Sequence, residues 1–152
     1  MSDELLHEHD VFLNVEAHSK GELFSFIAQQ AKKLGVTKDA AALETDLMCR
    51  EEQMTTGLTD CFAIPHTKSA HVERVEVFYI VTKEPLSWET MDGDKAQYFF
   101  VLLVPEENEG NIHLQMISAL AVCLLEDEFT QYIKASTDAS ELIDYINLQI
   151  HL

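Results

Sequence analysis

Apolar positions along this chain fall into short continuous or alternating runs, separated by segments with helical spacing. Val11-Phe12-Leu13-Asn14-Val15 predicts a first strand. Ser19-Lys20-Gly21-Glu22 has the form of a capping box and opens a helix with an apolar face of Leu23, Phe26, Ile27 and Ala31. Lys32-Lys33-Leu34-Gly35 ends it, with cations near the C-terminal dipole and glycine as the cap. Thr37 is the predicted start of a second helix, packed through Ala41, Leu43, Leu47 and Met48 and running to about Glu52. Cys61-Phe62-Ala63-Ile64 is too short for a helix. Flanked by Gly57 and Pro65, it reads as a buried strand that ends at the proline, which lacks an N–H. Residues 75–81 predict another strand, residues 85–88 a loop and Met91-Asp92-Gly93-Asp94 a turn. Trp88, in that loop, is expected to pack onto the core. Residues 98–104 are the most apolar run and predict a central strand stopped by Pro105. A polar loop, 106–111, leads to a helix opening at Asn111 whose apolar face includes Leu120, Ala121, Leu124 and Leu125. This order of elements predicts one domain over residues 1–152, a three-layer α/β/α arrangement with a mixed sheet between helices.

The chemistry concentrates between Arg50 and His71. His66 follows Pro65 directly, so its imidazole sits on rigid scaffold with access to solvent. Thr55-Thr56-Gly57 offers hydroxyls and a flexible backbone, the ingredients of an anion-binding nest. Arg50 is predicted near a helix C-terminus and supplies a planar cationic fork suited to phosphate oxygens, although a last-turn arginine is equally at home there for the dipole alone. A nitrogen nucleophile, a guanidinium and hydroxyls together suggest phosphoryl chemistry on histidine. His113 lies at the start of the later helix, where backbone N–H groups hold anions.

Composition narrows the partners. Acidic residues number 27 against 10 basic ones, a net charge of −17 with histidines neutral. That balance argues against nucleic acid and anionic membrane surfaces, which demand basic patches. The three cysteines, Cys49, Cys61 and Cys123, form no C-x-x-C and are expected to be reduced and mostly buried. The first ten residues lack a signal-peptide pattern and no apolar run reaches the length of a span, so a cytoplasmic protein without membrane insertion is expected.

The run R-E-x4-T-G-x5-A-I-P-H, from Arg50 to His66, resembles the active-site segment of the fructose/mannitol-type EIIA domains of the bacterial sugar phosphotransferase system. A second stretch resembles the same family: His113-Leu114, Ile117-Ser118, Leu120-Ala121 and Leu124-Leu125. The likeness extends from about Val11 to Ile146 and includes L-V-P-E at 103–106 and E-D-E-F at 126–129. It implies that His66 accepts a phosphoryl group from phospho-HPr and passes it to a cysteine of EIIB, for uptake of fructose, mannitol or a related polyol through EIIC. It implies further that His113 orients the group, with Arg50, Thr56, Gly57 and Thr67 around its oxygens. Thr67 stands where many members carry glycine or alanine, and its hydroxyl either crowds the group or donates to it. Variants of the family act instead as phosphorylation-dependent regulators, such as the nitrogen-type EIIA proteins.

Such a relay needs no cofactor and no metal, and no nucleotide-binding G-x4-G-K-[ST] loop occurs. His66-x4-His71 has the spacing of half a zinc site, but without a C-x2-C partner no structural zinc is expected there. His71 is expected to cap or face solvent, and His7, His9 and His18 to lie on the surface. Nothing marks Cys61 as activated, and no G-x-S-x-G elbow supports a hydrolase.

Overall fold

The computed structural model describes residues 5–107 and 112–150, except for the side chains of Ile112 and His113. Two helices form one outer layer. The first, α1 (Lys20–Lys33), opens at Ser19, whose hydroxyl accepts the Glu22 N–H at 3.1 Å. The other half of the capping box is displaced by one residue, for Glu22 Oε1 accepts from the His18 N–H. Gly35, with φ of 75°, lies in the left-handed region that lets its N–H close on the Lys32 carbonyl. The second helix, α2 (Ala40–Gln53), opens at Asp39 and not at Thr37. The Asp39 carboxyl accepts the Ala42 N–H, whereas Thr37 is buried and its hydroxyl accepts from the Asp39 N–H. Ala40 therefore faces the core in place of the expected Ala41.

Five strands form a mixed sheet: β1 (Val11–Val15), β2 (Phe62–Ala63), β3 (His66–Ser69), β4 (Glu76–Leu86) and β5 (Ala96–Pro105). β4 pairs in parallel with β1 and antiparallel with β5. The other side of β5 carries β2 and then β3, both parallel to it. Alternation along the central strands divides the core. Phe99, Val101 and Leu103 join Leu23, Ile27, Leu43 and Leu47 on the α1 and α2 side. Phe100 and Leu102 face the opposite layer of α3 (Ile112–Leu124), α4 (Asp127–Ala135) and α5 (Ala139–Gln149), against Leu120, Ile133, Leu142 and Ile146. Burial on both faces is why residues 98–104 read as continuously apolar. The α/β class and the mixed sheet between helices are as expected.

Several local expectations change. Pro65 does not end the ladder. The pairing to β5 resumes at His66, and the Pro65 carbonyl accepts the Leu102 N–H at 3.0 Å. A missing proline N–H is tolerated there because β3, which follows it, pairs with β5 alone, at the edge of the sheet. Pro85 likewise lies inside β4, within the stretch between Val81 and Leu86 where the register with β5 shifts. Leu125 lies beyond the end of α3 and is 82% exposed. Of the loop expected at 106–111, positions 108–111 fall outside the described residues. The cysteines are unpaired thiols as expected, but Cys49 is exposed and the other two are only half-buried. Trp88 does pack on the core, edge-on to Phe24 and tilted against Phe99. No helix among the described residues is long and apolar enough to cross a membrane.

Candidate functional site

His66 is the first residue of β3, at the sheet edge, and is half-buried. Its Nδ1 lies 2.8 Å from the Ile64 carbonyl oxygen. A carbonyl only accepts, so in the neutral ring Nδ1 carries the proton and Nε2 carries the lone pair. The interrupted strand creates this contact, because Pro65 fixes the backbone between the acceptor and the ring.

A cleft of about 600 Å³ lies beside His66, lined from α2 by Asp46, Cys49, Arg50 and Gln53. β3 and the turn after it contribute residues 66–71, Glu106 follows β5, and Leu114 and Ile117 come from α3. Arg50 occupies the last turn of α2, and its Nη1 donates to the Met54 carbonyl at 3.0 Å, which holds the side chain at the cleft wall. Lys68 extends from β3 two residues after His66 and is exposed, as the period-two alternation of a strand requires. Three cationic or imidazole groups, Arg50, Lys68 and His71, thus stand around His66 in a chain of net charge −17. Asp46 offsets part of that charge, but its carboxyl accepts from the Ser69 hydroxyl, which in turn accepts the His71 N–H.

Arg50, His66 and Thr67 therefore come together, although Thr67 is buried. Thr56 and Gly57 are not among the described residues of the cleft wall. Thr56 is buried, and both its N–H and its hydroxyl donate to the Glu51 carboxyl, at 2.6 and 2.7 Å. Trp88 Nε1 donates to the same carboxyl at 3.2 Å. Gly57 has a packing role, since a Cβ there would sit 2.2 Å from the Glu89 carbonyl and 2.9 Å from Thr90 Cα. Gly57→Ala is expected to cost about 1–3 kcal/mol through this backbone overlap, read as a lower urea midpoint at unchanged m-value. His113 lies in the first turn of α3, but its side chain is outside the described residues. His71 is exposed, as expected. Burial pushes the Cys61 thiol up, the opposite of activation.

Sequence reasoning missed Lys68 and Glu51. Strand alternation from His66 was the signal for the first. For the second, Leu43, Leu47 and Glu51 share one helical stripe, so the glutamate falls on the buried face.

A family profile described as "Phosphoenolpyruvate-dependent sugar phosphotransferase system, EIIA 2" matches residues 4–149. The chain is 29% identical over 144 residues to the PTS system fructose-specific EIIABC component of Bacillus subtilis (strain 168), covering 95% of this chain. It is 30% identical over 144 residues to the PTS system 2-O-alpha-mannosyl-D-glycerate-specific EIIABC component of Escherichia coli (strain K12), covering 94% of this chain. It spans only 22% of the length of each of these curated relatives. The crystal structure of nitrogen regulatory protein IIA-Ntr from Neisseria meningitidis superimposes with a TM-score of 0.85 at 28% identity, over 92% of this chain and 94% of that one.

Proposed function

Because the chain belongs to the phosphoenolpyruvate-dependent sugar phosphotransferase system EIIA 2 family, we propose that it is a cytoplasmic phosphoryl carrier: His66 takes a phosphoryl group from phospho-HPr and passes it to a cysteine of an EIIB partner. The observation that carries this reading is the His66 Nδ1 contact to the Ile64 carbonyl, which directs the lone pair to Nε2 beside a cationic cleft. In the first step the Nε2 lone pair forms the N–P bond as the donor's phosphohistidine N–P bond breaks. The phosphorylated ring is cationic, and its Nδ1 proton stays hydrogen-bonded to Ile64, so no base is needed. In the second step an EIIB thiolate attacks phosphorus and His66 leaves with its lone pair restored. Arg50 and Lys68 balance charge on the equatorial oxygens, and Thr67, whose side chain is buried, lines the cleft between His66 and Lys68 on β3. Glu51, Thr56 and Gly57 set the loop between α2 and β2. α3 lines the cleft through Leu114 and Ile117, which supports a role for His113, in the preceding turn, in orienting the phosphoryl group. Fructose, mannitol or a related polyol is the substrate class of the downstream permease, EIIC; the carrier itself meets only proteins.

The test is labelling by phosphoenolpyruvate, Enzyme I and HPr, followed by addition of EIIB proteins. Wild type is expected to take up phosphate and release it to EIIB. Arg50→Ala should slow uptake about a hundredfold, the usual loss on removing one preorganised donor, with Arg50→Lys recovering part of it. No labelling of folded wild type would overturn the carrier reading.

A second reading is carried by the likeness to IIA-Ntr at 28% identity. In it His66 is phosphorylated in the same way, but the output is binding to another protein according to phosphorylation state. The two separate at the second step: phosphate lost to EIIB supports transport, and phosphate retained in the presence of every candidate EIIB supports regulation. Genes for EIIB and EIIC beside this one would favour transport.

A further inference from the structure

Far from the His66 cleft in sequence, residues before β1 form a cluster that the phosphoryl relay does not use. Leu5 and Leu6 are buried, and Leu6 exchanges two backbone hydrogen bonds with the Asn147 amide of α5, at 2.9 and 2.8 Å. This clamp holds the short 3-10 turn Glu8–Asp10 against the start of β4. Four side chains converge there: His7, His9, Asp10 and Glu76. His7 Nδ1 lies 3.1 Å from Asp10 Oδ2 and 3.9 Å from Glu76 Oε1. His9 Nε2 lies 3.3 Å from Asp10 Oδ1 and 3.7 Å from Glu76 Oε1. The two rings stack with centroids 5.6 Å apart, so both present a nitrogen to the same pair of carboxyls.

Both carboxyls are buried, Asp10 wholly and Glu76 to 5% exposure. Two acids in so little water are costly to keep without a compensating cation. Arg74 supplies one only in part, through Nη2 at 3.4 Å from Glu76 Oε2, while Glu76 Oε1 faces the histidines. Asp10 Oδ1 is buried with no hydrogen-bond partner among the described residues, even though His9 Nε2 is close by. An orphaned buried oxygen 3.3 Å from one imidazole nitrogen, in a cluster that also holds a second imidazole and a second buried carboxyl, is an arrangement that a cation completes.

We propose that His7, His9, Asp10 and Glu76 bind one divalent transition-metal ion of the zinc class in a tetrahedral site. With metal–ligand bonds of about 2.0–2.1 Å, the edges of such a tetrahedron are about 3.3 Å. The four contacts given above, which use both Asp10 oxygens, span 3.1–3.9 Å, and one donor atom from each of the four residues lies within 4.8 Å of the others, so a small contraction closes the shell. Two imidazoles with two carboxylates select zinc, cobalt or nickel over magnesium and calcium, which prefer all-oxygen shells. Outer partners are in place as well. The His7 N–H donates to Asp10 Oδ2 at 2.8 Å, and Arg74, which also donates to the Leu34 carbonyl, steadies Glu76. A bound ion would staple the N-terminal turn to β4 and, through Arg74, to the end of α1.

The test is a Co²⁺ titration of untagged full-length protein stripped with a chelator, since a polyhistidine tag would bind the probe. Wild type is expected to develop the intense visible absorption of tetrahedral cobalt, saturating at one equivalent and displaced by Zn²⁺. His7→Ala/His9→Ala should lose it. Both side chains are 47% exposed, so this variant keeps its fold, checked by circular dichroism. His66→Ala/His71→Ala should retain it, which separates the site from the cleft. Zn²⁺ should raise the Tm of wild type and leave that of His7→Ala/His9→Ala unmoved. No tetrahedral spectrum in wild type, or one that survives in the His7→Ala/His9→Ala protein, would overturn the proposal and leave the cluster as direct contacts between the two histidines and the two acids.

Discussion

Replacing His66 by alanine is expected to reduce labelling by phospho-HPr to the assay background while the protein stays folded. The fold survives because His66 is half-buried on an edge strand, and the backbone ladder from β3 to β5 does not depend on its side chain. Losing the hydrogen bond to the Ile64 carbonyl costs about 1 kcal/mol, a fraction of the stability of a domain this size. The chemistry does not survive, because no other group at that position offers a neutral nitrogen lone pair. The phosphate on wild type should be acid-labile and base-stable, as for a phosphoramidate on histidine. His71→Ala, on the same cleft but exposed, should label like wild type. His113→Ala should still label, more slowly, because an orienting group lowers the barrier without being the atom that bonds to phosphorus. Label on His66→Ala would move the nucleophile elsewhere and sink the assignment.

The largest loss of stability is expected from Glu51→Ala. Glu51 is 6% exposed, and its carboxyl accepts three hydrogen bonds: the Thr56 N–H, the Thr56 hydroxyl and Trp88 Nε1. Alanine leaves all three donors buried without a partner, and at the usual penalty for such groups the loss is about 3–5 kcal/mol. Glu51→Gln keeps one oxygen for the two N–H donors and its NH₂ donates to the Thr56 hydroxyl oxygen, while the charge is lost, so an intermediate loss is expected. Urea denaturation followed by Trp88 fluorescence reads both, with the indole itself reporting the altered contact. An Ala variant within about 1 kcal/mol of wild type would show that water or a shifted loop satisfies the donors, contrary to this account. A second consequence follows for function. Glu51 adjoins Arg50 and anchors the segment leading to Gly57, so loosening it should slow phosphoryl uptake beyond what the loss of folded protein explains.

What could be read in advance follows the range of the forces involved. Helix caps act over three or four residues, and Ser19 was recognisable from Glu22 alone. Asp39 displaced Thr37 as a cap because both residues are capable and only burial of Thr37 decided between them. The central strands were legible because burial on two faces leaves a continuous apolar run. Pro65 and Pro85 misled because a proline breaks a ladder only where its N–H is needed, and whether it is needed depends on the neighbouring strand. The cysteines misled for a related reason: apolar surroundings in sequence do not place a residue on the inner face, and Cys49 lies on the exposed side of α2.

For the site itself, the order Arg50, Thr56-Gly57, Ala63-Ile64-Pro65-His66 and later His113 was enough to point to phosphoryl chemistry on His66. Local bonding along the chain sets what such a motif contains. Which members face one another is a matter of packing across the sheet. Only the tertiary structure brought Trp88 to the carboxyl of Glu51 and placed Lys68 and Arg50 on one cleft with His66. The cluster of His7, His9, Asp10 and Glu76 is the extreme case. Three of its members lie within four residues, but the fourth is brought in by the pairing of β1 with β4. Hydrophobic pattern and turn chemistry are short-range and so are written in the chain; the meeting of distant polar side chains depends on strand order and register, which exist only once the sheet has formed.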